Sequence, residues 1–352
     1  MPTKTLSRIL IAAALSTVGF AETISIQGAG ATFPAPLYAK WTDTYNKLHA
    51  DANVDYQSIG SGGGIKGITD RTVQFAGSDA PLNDTQLSAA PGILHLPTVA
   101  GPVVMITHDD QLPSGLILSG EVIAGIYLGE ITSWNDPKIA ALNPGVSLPG
   151  DDIVVCHRSD GSGTSYIFTN YLAKVSPEWK SKVGNATAVK WPVGLGGKGN
   201  AGVAQAVNGS NGSIGYVELA FAKGAKLNYA KLVNHDGKVV EATIASVFEA
   251  ATHVGTLPAD LRLSITDAPG AGSYPICGYT YLLVYSDMSY LKNPALAARL
   301  LDFISWCEHD GQALAAPNYA SISDDIRAAV DAKLKSIVVD GKPVLAGAAE
   351  TK

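Results

Sequence analysis

The chain is 352 residues long, 46% hydrophobic and 16% charged, which excludes a disordered polypeptide and leaves room for two domains of ordinary size. Its formal charge of −6 becomes −8 once residues 1–21, which hold Lys4 and Arg8 and no acid, are set aside. An acidic surface argues against nucleic acid as a partner, and any bound anion must be held by local dipoles rather than by a basic patch.

Lys4 and Arg8 precede the apolar run Ile9–Leu15 and then Gly19-Phe20-Ala21, the charged, apolar, small-residue order of a secretory signal peptide. That run is too short to span a bilayer, and no cysteine follows it. The expected mature chain starts near Glu22, is exported and soluble, and is not lipidated.

Strands are predicted at 23–27, 54–59, 101–107, 153–157, 214–217 and 278–285, which are rich in Val, Ile and Tyr. Helices are predicted at 34–48, where Leu37, Trp41, Tyr45 and Leu48 share a face, and at 164–175 and 295–309. Strands alternating with amphipathic helices define an α/β protein. Cys156, Cys277 and Cys307 allow two readings: three small buried residues, or a Cys277–Cys307 disulfide in an exported protein. The tail 346–352 is small and polar, and a frayed terminus is expected.

Three times a strand leads into a Gly/Ser/Thr segment that opens a helix: Gly28–Phe33, Gly60–Gly64 and Arg158–Ser165. A helix N-terminus carries unpaired N–H groups and partial positive charge. Glycines let backbone approach an oxyanion, and Ser61, Ser162, Thr32 and Thr164 add hydroxyl donors. A single such segment reads first as an N-cap; three of them, one following Arg158, shift the reading toward an anion site. Arg158 supplies one full positive charge in a fork suited to a tetrahedral oxyanion. A contact with Asp160 would support the guanidinium from behind.

Asp79, in Phe75-Ala76-Gly77-Ser78-Asp79-Ala80-Pro81, reads as a turn or cap residue, or as a discriminator. A carboxylate beside an anion makes sense only if the anion carries a proton to donate. Phosphate near neutral pH does and sulfate does not, so sulfate would suffer roughly 3–5 kcal/mol or more.

These segments resemble the periplasmic phosphate-binding proteins of bacterial phosphate ABC transporters. The resemblance rests on G-A-G-A-T-F-P-A-P-L-Y-A-K-W at 28–41, G-S-G-G-G at 60–64, S-D-A-P-L at 78–82, R-S-D-G-S-G-T-S at 158–165, W-P-V-G-L-G-G-K-G-N-A-G at 191–202 and I-G-Y-V-E at 214–218, in that order. It implies a two-lobed type II periplasmic binding protein fold, each lobe a mixed sheet flanked by helices, with two hinge crossings near 101–107 and 274–280. One lobe would hold 22–104 and 278–352, the other 105–277. It implies a monomer that captures inorganic phosphate in the periplasm, uses no cofactor and delivers its cargo to membrane permease subunits. The implied ligand contacts are Thr32, the backbone N–H of Phe33, Ser61, Asp79, Arg158, Ser162, Gly163 and Thr164, with Asp160 behind Arg158. The family often has a second serine where Gly62 stands, and its members commonly lack these cysteines. A phosphate sensor or scavenger without a permease would use the same pocket. So would a phosphatase-like enzyme attacking through Ser162 or Thr164, though no activating base or metal ligand is evident around those hydroxyls.

Other signals carry less. Gly194–Gly199 fits G-x-G-x-x-G but lacks a clean preceding strand, and reads as a close-approach loop. There is no G-x-x-x-x-G-K-[ST] and no G-x-S-x-G. His157 should face away from Arg158 if the strand continues, which favours a structural role. Trp134 and Trp191 read as core or lobe surface.

Overall fold

A computed structural model describes residues 23–345; the signal-peptide reading of 1–21, the expected start near Glu22 and the tail after 345 lie outside the described residues. The ten strands of the main sheet are, in chain order, β1 (Ile24–Gly30), β2 (Ala52–Ser58), β3 (Phe75–Ser78), β4 (Ile93–His108), β5 (Val154–Arg158), β6 (Leu195–Gly197), β7 (Ser213–Glu218), β8 (Asn228–Tyr229), β9 (Cys277–Tyr285) and β10 (Ala320–Ser321). Their order across the sheet is β2-β1-β3-β9-β4-β7-β5-β6, with β8 and β10 paired to β4 off this path. At either end the pairs are parallel, as β1 with β2 and β3, and β5 with β6 and β7. The central pairs that β9 and β4 make are antiparallel. The architecture is thus a mixed α/β sheet in two halves, flanked by helices, as expected.

β4 joins the two halves of the sheet. Residues 93–102 pair with β9, and residues 103–108 pair with β7. The partner changes between Pro102 and Val103, where the Val103 N–H donates to Ile276 O at 2.7 Å, just before β9 begins. Two adjacent antiparallel strands therefore carry the chain from one half to the other. β4 extends eight residues before the predicted 101–107 segment. Pro97 hid that extension; it sits where the register with β9 shifts, a place that tolerates a residue without an N–H.

Five helices matter for the site and core: α1 (Ala35–Leu48), α2 (Ser61–Thr69), α3 (Gly163–Val175), α4 (Gly199–Asn208) and α5 (Pro294–Glu308). α1 buries Leu37, Tyr38, Trp41 and Tyr45; Trp41 Nε1 donates to Gly311 O and Tyr45 Oη to Asp302, so the polar tips of both rings are partnered. Leu48, expected on that face, is 62% exposed as the last residue of the helix. α5 seats Leu300, Ile304 and Cys307 in the core as its periodicity predicts.

Cys156, Cys277 and Cys307 are all free and buried, so the Cys277–Cys307 disulfide is not formed. The Cys277 thiol is directed at the carbonyls of Tyr274 and Ile265. Burial pushes the Cys156 thiol up to about 11, which makes it an inert core residue. Among the described residues no helix is long and apolar enough to cross a membrane.

Candidate functional site

The three Gly/Ser/Thr segments meet at the junction of the two halves, with boundaries that differ from the sequence reading. β1 runs through Gly28 and Gly30 instead of ending at Gln27. A Cβ on Gly28 would lie 2.1 Å from the Phe75 ring, so glycine there lets the ring pack directly on the strand. α2 starts at Ser61, which places Gly62–Gly64 inside the helix and not in a loop. A Cβ on Gly64 would lie 2.6 Å from Gly30 Cα, so this run presses α2 onto β1.

α3 begins as predicted, after β5 and the turn 159–162. Ser162 is its N-cap, accepting from the Ser165 N–H at 3.0 Å, which leaves its hydroxyl proton free to donate. The cap and ligand readings of this serine therefore coexist. A fourth unit was missed: β6 pairs in parallel with β5 and leads through Gly199 into α4, so Gly194–Gly199 does contain a strand. Asn200, in the first turn of α4, is fully buried at the centre of the site.

Hydrogen bonds tie the four helix starts together. Ser61 Oγ accepts from the N–H groups of Asp79 (3.2 Å) and Gly163 (3.0 Å). Thr32 Oγ1 accepts from Asn200 N (3.3 Å) and Nδ2 (2.8 Å). Thr164 Oγ1 accepts from Asn200 Nδ2 (3.1 Å) and Arg158 Nη1 (3.4 Å). A hydroxyl has two lone pairs and one proton. With both lone pairs engaged, each of these three can only donate. The Gly62 N–H also crosses the cleft to Gly161 O at 2.9 Å.

Arg158 is 3% exposed. Its Nε and Nη2 grip both oxygens of Asp160 at 2.8 and 2.6 Å, and Asp160 Oδ1 also accepts from the Gly199 N–H at 3.0 Å. Burial pushes the Asp160 carboxyl up, but Arg158 and the Gly199 N–H together outweigh it and hold the group below the usual range. The expected Arg158–Asp160 contact is therefore present as a two-pronged pair. His157 faces elsewhere: its ring stacks on Trp191 at 4.8 Å, and Nδ1 lies 3.0 Å from Arg158 O. Trp134 is core; Trp191 is half-buried in a ring cluster with Tyr127 and Phe168.

Asp79 is 2% exposed. Oδ1 accepts from Thr280 Oγ1 at 2.8 Å, and Oδ2 has no partner among the described residues. A Cβ on Gly163 would lie 2.6 Å from that unpartnered oxygen, which places it against the α3 N-terminus. Burial raises the Asp79 carboxyl to about 7, against the pull of Thr280 and Arg158. Phe33 is buried, and its carbonyl accepts from Tyr319 Oη at 2.8 Å. Thr280, Asn200 and Tyr319 were not foreseen. Only Asn200 carried a signal, as the first polar side chain of a further glycine-to-helix junction.

Backbone N–H groups, three hydroxyls with both lone pairs engaged and one unpartnered carboxylate oxygen thus meet at the junction of the two half-sheets, a group set whose chemistry suits a small oxyanion. Residues 17–307 match the family model described as a PBP superfamily domain. The phosphate-binding protein PstS of Xylella fastidiosa is 44% identical over 83% of this chain and 79% of its own length. The PstS of Haemophilus influenzae is 41% identical over 92% and 96%. The chain therefore belongs to the PstS family of phosphate-binding proteins. Among solved structures, a phosphate-binding protein from Stenotrophomonas maltophilia superposes with a TM-score of 0.66 at 23% identity, covering 88% of this chain and 93% of that one. A substrate-binding protein of a phosphate ABC transporter from Clostridium perfringens, with phosphate bound, gives 0.62 at 19% identity over 85% and 100%.

Proposed function

We propose that the chain captures inorganic phosphate between its two halves in the periplasm and delivers it, as a monomer, to the permease of a phosphate ABC transporter. The observation that carries this reading is the buried, unpartnered Oδ2 of Asp79 among groups that can only donate. Thr32, Ser61, Ser162, Thr164, Arg158 and the N–H groups of Phe33 and Gly163 would serve the anion's oxygens. Asp79 would take the one proton the anion carries. A carboxyl that burial raises to about 7 can accept a proton from a phosphate that ionises near neutrality. Sulfate has no proton to share.

The halves would act as lobes of 22–104 with 278–352, and of 105–277, turning about the Pro102–Val103 and Ile276–Cys277 junctions. Each lobe contributes part of the donor set, so the anion favours the closed form through contacts that only closure completes. Neither a cofactor nor nucleic acid enters this scheme, and the exported chain would be free of lipid.

An enzymatic reading finds less support. Ser162 Oγ is engaged with the Ser165 N–H, Thr164 Oγ1 with Arg158 and Asn200, and the ring of His157 is committed to Trp191. Calorimetric titration of the mature chain with phosphate and with sulfate tests the proposal, alongside incubation with a chromogenic phosphate ester. Saturable phosphate binding, weak sulfate binding and no turnover are expected. Steady ester hydrolysis, or equal affinity for the two anions, would overturn it.

A further inference from the structure

We propose that Glu218 is a second acid of the closed cleft, held neutral, whose proton goes to Tyr319 and so fixes the Thr32–Phe33 turn. The role of that turn rests on the phosphate-binding reading; the protonation of Glu218 does not.

The argument is a count of protons. Glu218 ends β7 and is fully buried. Its N–H donates to Asn200 Oδ1 at 3.0 Å, which orients the amide that bridges Thr32 and Thr164. Its Oε2 accepts from the Ala220 N–H at 2.9 Å and lies 3.1 Å from Tyr319 Oη. Tyr319 Oη in turn lies 2.8 Å from Phe33 O. Three oxygens thus make two contacts, and the phenol supplies one hydrogen. A carbonyl has none to give. The shorter contact takes the phenolic proton, so the longer one needs a proton from Glu218. Its Oε1 has no partner among the described residues, a far smaller penalty for a neutral carbonyl than for a carboxylate.

The surroundings agree. The cation that faces the group is the exposed Lys223, on the segment following β7, and the other facing acid is Asp79. Tyr319 and, beyond it, the buried phenol of Tyr38 complete the titratable neighbours. Burial raises the Glu218 carboxyl to about 8, against the pull of the Ala220 N–H and of Lys223. An ionised Glu218 would set a second negative charge beside an anion site that already holds Asp79.

A carboxyl raised in the folded state stabilises the fold fully below its ordinary value of 4.5; that contribution erodes up to about 8 and is absent above it. E218Q keeps a neutral side chain at every pH, although its amide can serve only one of the Ala220 and Tyr319 contacts. In melts without phosphate, the wild type should lose a few degrees relative to E218Q across that interval; parallel curves would overturn the proposal. Infrared spectra of wild type and Y319F supply a measurement that does not depend on E218Q folding. A protonated carboxyl C=O band should be present at neutral pH and shift when the phenol is removed, and a band indifferent to Y319F counts against the latch. Titration with inorganic phosphate separates the two claims. If neither protein binds phosphate at any pH, the functional reading fails, while melts and spectra still decide the state of Glu218.

Discussion

On the wall built from residues 158–164, the positive charge is balanced before any anion arrives: Arg158 is gripped by Asp160, and Asp160 is steadied by the Gly199 N–H. On the facing wall, Asp79 has one oxygen tied to Thr280 and the other unpartnered. The first wall offers direction with little net charge, and the second offers an acceptor where an anion site would be expected to hold only donors. On the proposed reading, affinity falls to the first wall and discrimination to the second. It also explains how a chain of net charge −6 can hold an anion without a basic patch.

The largest effect should come from breaking the first wall. R158A removes the guanidinium and leaves Asp160 as an uncompensated, largely buried carboxylate aimed at the site. Phosphate affinity measured by calorimetry should fall by roughly 2–5 kcal/mol; an unaltered Kd would remove Arg158 from the site. D79N attacks the second wall. It should weaken phosphate, strengthen sulfate and narrow a gap of roughly 3–5 kcal/mol between them. The test is the ratio of the two affinities, and a ratio equal to wild type would assign Asp79 to the fold alone. N200A severs the bridge between the walls, because the Asn200 amide spans Thr32 and Thr164. A loss of about 1–2 kcal/mol in phosphate affinity is expected, with a shift of the phosphate-free protein toward more open shapes in solution scattering.

The legible and illegible parts of the site divide along the same contrast. Ser162-Gly163-Thr164 could be read because a helix start after a strand demands a cap and exposes N–H groups, and both leave residue signatures. Arg158 and Asp160 could be read because they are two residues apart and their pairing is local. Thr280 could not be read: it reaches Asp79 because β9 pairs antiparallel with β3, aligning Tyr281 with Ser78 across about two hundred residues of chain. Asn200 was obscured because β6 is three residues long, two of them glycine, with Leu195 largely exposed, so no apolar alternation announces a strand. The glycine runs misled in a more instructive way. Gly28–Gly30 and Gly62–Gly64 read as loops, whereas they are strand and helix, and at Gly28, Gly30 and Gly64 the packing admits no side chain. Composition records that backbone comes close to something; it does not say whether the something is a ligand or another backbone.

That distinction gives the smallest of the tests, at Gly62, where the two walls touch by main chain. The family often has a serine where this chain has Gly62, and by that comparison a supporting hydroxyl is missing. In this chain the Gly62 N–H bonds directly to Gly161 O, and a Cβ on Gly62 would lie 3.0 Å from Gly161 Cα and 3.3 Å from its carbonyl oxygen. The turn at 161 must yield by a few tenths of an ångström to admit a side chain, which pulls against the Ser61–Gly163 bond beside it. G62S should therefore weaken phosphate binding, by about 1 kcal/mol or less, instead of restoring a contact. The double variant G62S/N200A should lose about the sum of the two single losses if crowding at Gly161 and the Asn200 bridge act on closure independently. A tighter Kd for G62S would mean that the hydroxyl restores a contact which the backbone bond across the cleft does not replace.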